Sequence, residues 1–181
     1  MTAAGFVPGN ITGMALDVTS AGGSNHYDGF KVTAGLTGQS LYTNPPTAIS
    51  GLTEVYSSAS YVATSGLNQF NFSTPINWNG TSNLVVGFCY SNNNASNTAS
   101  TVKVETLAGT NTQFYLYADN ATAATICGAS VAADAGGYAY RGHTRPIISF
   151  NGQRGGVNNS ASLNWSWTPG ALTGNTVTDR K

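Results

Sequence analysis

The stretch "NWNGTSNLVVGFCY" (77–90) sets a short polar turn against the most apolar run of the chain. Asn79-Gly80 is turn chemistry: Gly adopts left-handed backbone without steric cost, and Asn bonds its own downstream backbone. Asn83 reads as a second side chain that ties the loop backbone. The run after the turn, "NLVVGFCY" (83–90), is apolar on both faces and reads as a central strand. Trp78 reads first as a lid on the end of the core and second as an aromatic platform for a sugar.

Outward from this strand the hydrophobic period is two nearly everywhere. In "ITGMALDV" (11–18) Met14, Leu16 and Val18 alternate with Ala15 and Asp17. The stretches "GFKVTA" (29–34), "LTEVY" (52–56), "NQFNFST" (68–74), "TVKVETL" (101–107) and "QFYLYA" (113–118) behave the same way. "RPIISFNG" (145–152) supplies a last strand, opened by Pro146 where no ladder donor is required. Turn clusters such as "SAGGSN", "TNPP" and "ADAGG" separate them, and no apolar stripe of helical period exceeds two turns. The pattern predicts an all-β fold, a jelly-roll-like sandwich of two antiparallel sheets over residues 1–152. Residues 153–162 read as a polar linker. Residues 163–181 read as an extra strand of the sandwich or as the start of a following module, with Leu163, Trp165 and Trp167 on one face.

Composition narrows function. Of 181 residues only 8% are charged, seven acids against seven bases, where an average soluble domain has roughly 25%. The absence of clustered Lys and Arg argues against nucleic acid as a partner. No apolar run approaches the roughly 20 residues of a membrane span, and no signal peptide is legible at residue 1. Cys89 and Cys127 read either as two separate buried thiols or as one disulfide. The Ser/Thr/Asn/Gly surface, which looks extracellular, favours the disulfide, worth on the order of 4 kcal/mol in the chain-entropy model.

These features lead to a resemblance. "GNITGMALDVTSAG", "INWNGTSNLVVGFCYSNN", the later Cys127 and the closing "RPIISF" occur in that order. They resemble a β-sandwich domain of large secreted and cell-surface proteins of Bacteroidota, many exported by the type IX secretion system, including adhesins and gliding-motility proteins. The tail "LNWSWTPGALTGNTVT" looks like the opening of the immunoglobulin-like repeats that follow in such proteins. Two departures stand out. The family turn usually reads Trp-Asp-Gly, and Asn79 replaces the acid; the family also usually carries a further strand or two before "TAAGF".

Catalytic machinery is poorly supplied. His26 and His143 sit in turn-like contexts without a nucleophile elbow, and no pair of carboxylates is marked for glycoside hydrolysis. The chain therefore reads as a non-enzyme. No cofactor is indicated, with calcium as the one alternative: Asp17 and Asp28, joined by Asp119 and Asp134, supply oxygens, although turn-capping explains the same residues. Arg145 reads as structural, and Arg141 as a carboxylate-binding group on a ligand surface. Trp78, Tyr115, Tyr117, Tyr138 and Tyr140 are the candidate ligand-binding rings, with Tyr115 and Tyr117 on the face opposite Phe114 and Leu116. The leading expectation is an extracellular adhesion or interaction module whose partners are other surfaces, glycans or neighbouring modules. The alternatives are a carbohydrate-binding accessory domain of a secreted hydrolase and a structural subunit of an extracellular filament.

Overall fold

The structure is a computed structural model that describes residues 7–22, 26–45, 47–92, 99–130, 136–154 and 163–165. It is an all-β sandwich of antiparallel sheets. In chain order the strands are β1 (Gly9–Ser20), β2 (His26–Thr37), β3 (Thr53–Val62), β4 (Gly66–Trp78), β5 (Asn83–Ser91), β6 (Thr101–Val102), β7 (Val104–Thr106) and β8 (Gln113–Tyr117). A short helix α1 (Ala123–Gly128) precedes β9 (Tyr138–Gly142), β10 (Thr144–Pro146), β11 (Ile148–Arg154) and β12 (Leu163–Trp165). One sheet has the order β12-β11-β1-β4, with β6 added to the end of β1; the other is β3-β2-β5. Two further pairs, β10-β7 and β8-β9, stand outside these sheets.

The alternation along β1 and β2 decides the core. Ile11, Met14 and Leu16 from β1 meet Phe30, Val32 and Ala34 from β2, closed by Val55 of β3 and by Phe70, Ile76 and Trp78 of β4. Phe30 is the aromatic hub, stacked on Tyr61 at 4.8 Å and on Phe70 at 5.4 Å between ring centroids. Burial of side chains such as Phe70 and Met14 contributes roughly 1.5–3 kcal/mol each.

One edge of the sandwich is closed. Residues 63–65 carry the chain from β3 to β4, in the opposite sheet, and the buried Asn68 holds this corner. Its Oδ1 accepts from the Tyr61 hydroxyl at 2.6 Å and from Thr64 N–H at 3.1 Å. Its Nδ2 donates to the Thr64 and Gly66 carbonyls at 2.6 and 2.9 Å. The β1–β4 ladder jumps from Ile11↔Ile76 to Gly13↔Asn71. Pro75, which has no N–H to give the ladder, lies in that bulge.

Several sequence expectations need correction. The run 83–90 is not a central strand: β5 pairs with β2 alone and ends its sheet among the described residues. Its apolar inner face (Leu84, Val86, Phe88) packs on the core. On its other face Cys89 is tied to α1, which leans on the β2–β5 sheet where Gly29, at φ 59°, leaves room for Ala123. Pro146 does not open the last strand; it closes β10, opposite Val104. The stretch 101–107 is split at Lys103, whose N–H turns to the Asp17 carbonyl while its carbonyl accepts from Ile147. At the far end, β11 runs two residues into the expected linker, and Leu163–Trp165 pair with β11 from Gly152 to Phe150. Residues 155–162 and 166–181, including Trp167, lie outside the described residues.

Candidate functional site

The β8–β9 pair is the part of the molecule that displays aromatic residues. Its register sets Tyr115 opposite Tyr140 and Tyr117 opposite Tyr138. Directly opposed residues share a face, so all four tyrosines lie on one side of the hairpin. Tyr115 stacks on Tyr140 at 5.3 Å, Tyr117 on Tyr140 at 5.9 Å with planes 7° apart, and Tyr117 lies 5.5 Å from Tyr138. All four remain exposed, at 42% to 59%. The Tyr117 phenol titrates above the ordinary tyrosine range, first because of its hydrogen bond with Tyr140.

The opposite face holds Phe114, Leu116, Ala139 and Arg141. Phe114 meets Tyr42 at 5.7 Å, and Tyr42 N–H donates to the Asn111 carbonyl, so the loop before β3 carries the hairpin. Arg141 is thus separated from the tyrosine face: it stands opposite Phe114. Parity across the twenty residues between Tyr117 and Tyr138 is not written in the sequence.

Trp78 is not a surface platform. It is 2% exposed, and its Nε1 donates to the Ser82 carbonyl at 2.8 Å. The turn beside it is self-contained. Asn79 Oδ1 accepts from the backbone N–H of Thr81 and Ser82 at 3.0 and 2.8 Å, while Gly80, at φ 86°, packs against Pro8. Asn83 Nδ2 donates to the Gln39 carbonyl at 3.2 Å, bracing the neighbouring loop.

The acidic residues do not gather. Asp17 lies in β1 and Asp28 in β2, in different sheets. Among the described residues no three His, Cys, Asp or Glu side chains stand together to hold a metal ion; Asp134 lies outside the described residues. Arg145 donates through Nε and Nη2 to Glu105 Oε2 at 3.3 and 3.2 Å, clamping β10 to β7. His143 Nδ1 is 2.7 Å from the Thr110 carbonyl, and the side chain of His26 lies outside the described residues. Cys89 and Cys127 form a disulfide with Cα atoms 5.4 Å apart. No described helix is long and apolar enough to cross a membrane.

Sequence reading missed two features. The helix α1 is too short to show an apolar stripe; its one signal is Thr122, whose Oγ1 caps the helix by accepting from Thr125 N–H at 3.2 Å. The other is a cleft of about 1990 Å³ beside β5, bounded across the gap by β8.

No family model, curated protein or solved structure matches the chain.

Proposed function

We propose that the chain is a non-catalytic interaction module that meets other surfaces through its tyrosine face. The observation that carries this is the set of four exposed tyrosines in ring contact, three of them stacked, on one side of the β8–β9 hairpin. Tyrosine supplies a large amphipathic contact at low conformational cost, which is why it is enriched in recognition surfaces. The rings already brace one another, so little freedom remains to be lost on contact. The low charge of the chain suits contact that is insensitive to salt. The disulfide supports a location outside the cell, where such bonds persist. The order of sequence motifs supports a parent protein of the large, secreted Bacteroidota type, with adhesion as the role of the module.

A second reading is a carbohydrate-binding accessory domain, favoured by the near-parallel ring planes of Tyr117 and Tyr140. The position of Arg141 on the opposite face weighs against it, because sugar hydroxyls need polar partners beside the platform. A filament subunit is the third reading, and negative-stain images of the purified chain test it by the presence of fibres. The main experiment compares wild type with a Tyr117→Ala/Tyr140→Ala variant in retention on immobilised cell-surface extracts and on a glycan array. Loss of retention in the variant, at unchanged melting temperature, is the expected result. Equal retention of both proteins would end the proposal, and loss confined to defined glycans would establish the accessory-domain reading.

A further inference from the structure

Among the described residues, two strand edges without ladder partners border the same cleft. All nine residues of β5 and all five of β8 line it, whereas no residue of β3 or β9 does. Successive side chains of a strand point to opposite faces. A cavity touched by both sets therefore reaches the edge of the strand, while Lys31 and Thr33 of β2 in its lining show that it also spreads over the face that carries Cys89. Each strand gives its other edge to a neighbour, β5 to β2 and β8 to β9, and β5 and β8 are not paired with each other. Among the described residues, no backbone–backbone bond outside these two ladders engages residues 83–90 or 113–117. An open edge of this kind is a template for another strand.

We infer that the cleft between β5 and β8 accepts one extended, uncharged peptide segment of a partner protein, which pairs with β5 on one side and β8 on the other. A segment so placed extends the β3-β2-β5 sheet through itself into the β8–β9 hairpin. This is recognition by strand addition, in which main-chain bonds give affinity and alternate side chains give specificity.

Three observations select this occupant. The first is geometry: the loop before β3 is tied across the gap, Tyr42 N–H to the Asn111 carbonyl and Ala48 N–H to the Ser130 carbonyl, which bounds the cleft on that side. The second is charge. Among the described residues the lining contains Lys31, Asp119 and Arg145 as its only charged side chains, and Lys31 and Arg145 are already paired with Glu54 and Glu105. The third is a stranded polar atom: Thr112 Oγ1, buried in the wall just before β8, has no hydrogen-bond partner among the described residues. The inner face of β5 (Leu84, Val86, Phe88) asks for apolar side chains at every second position of the segment. At about 3.3 Å per residue, a segment of roughly nine residues spans the length of β5.

The site adjoins the tyrosine face, since Tyr115 and Tyr117 of β8 border it, but it is read at backbone amides and not at the phenol rings. The experiment is amide hydrogen exchange on the full chain with and without a nine-residue peptide of alternating Thr and Val. The expected result is at least tenfold slower exchange of amides in both β5 and β8 at saturating peptide. A Val85→Lys variant, which sets a charge on the β5 edge, loses that protection while keeping the wild-type melting temperature. Three results would overturn the inference: no protection with peptide, protection already complete in the isolated chain at high dilution, or protection that rises with protein concentration alone. The second would mean that the chain closes its own cleft, and the third that a second copy occupies it. A Tyr117→Ala/Tyr140→Ala chain that still shows peptide protection separates this inference from the surface-contact proposal.

Discussion

The core of the sandwich and the β8–β9 hairpin use the same device, aromatic rings packed on one another across neighbouring strands, to opposite ends. In the core, Phe30, Tyr61 and Phe70 stack at 4.8 to 5.4 Å, and Phe70 is 1% exposed. On the hairpin four tyrosines stack at comparable distances and stay in solvent. The difference lies in what each faces. The β1–β4 sheet covers the first set, whereas the hairpin has only two strands and its tyrosine side has no covering layer among the described residues. Stacking alone therefore says nothing about burial, and the free energy of the two sets belongs to different properties, stability in one and contact in the other.

The sharpest break of this comparison is substitution of its two central rings. Phe70→Ala is expected to cost about 3–5 kcal/mol, whereas Tyr117→Ala is expected to leave the unfolding midpoint close to that of wild type; urea unfolding midpoints of the two variants measure the gap. Next in size is the covalent tie between β5 and α1. A Cys89→Ser/Cys127→Ser chain is expected to lose about 2–4 kcal/mol, seen as a lower melting temperature, and wild type under a thiol reductant should follow it. Asn68→Ala leaves the Tyr61 hydroxyl and the Thr64 amide without their acceptor in the closed corner, for a loss of about 1–3 kcal/mol by the same unfolding measurement.

The smallest effects are in titration. Burial raises the Tyr42 and Tyr61 phenols above the ordinary value, so their neutral forms favour the fold. That contribution is present below the unfolded value near pH 10 and is lost as pH climbs through the raised folded values. Stability should thus fall on the alkaline side. The Tyr117 phenol is raised first by Tyr140, so a Tyr140→Phe chain should ionise Tyr117 at lower pH while melting as wild type does. Tyrosinate absorbance against pH, with melting curves alongside, checks both statements.

The fold was legible because its signal is local. Met14 and Leu16 on β1, or Phe30 and Val32 on β2, declare a buried face within a few residues, and the tyrosine pair 115/117 declares the opposite of 114/116 on β8. The site was legible only in part. That β5 ends its sheet does not show in "NLVVGFCY", because a strand packed on one side and tied to a helix on the other has the same composition as a central one. The separation of Arg141 from the tyrosines depends on register across a long connection, which alternation within either strand leaves undetermined. The cleft has no sequence signal at all: it is a property of which edges remain unpaired once the sheets have formed.

The pairing of β1 with β11 has a mechanical consequence. Gly9 lies opposite Arg154 in an antiparallel ladder, so the start of β1 and the end of β11 lie on the same side. A pull applied between those two residues acts across the strands, along the direction of the ladder bonds, and loads them one pair after another. The sheet then opens as a zipper from Gly9↔Arg154 toward Leu16↔Ile148 and does not fail by shear of all its bonds at once. Tension applied between those two residues is thus relieved by peeling β11 from β1, while the disulfide-tied β5–α1 region lies outside the strands that bear the load.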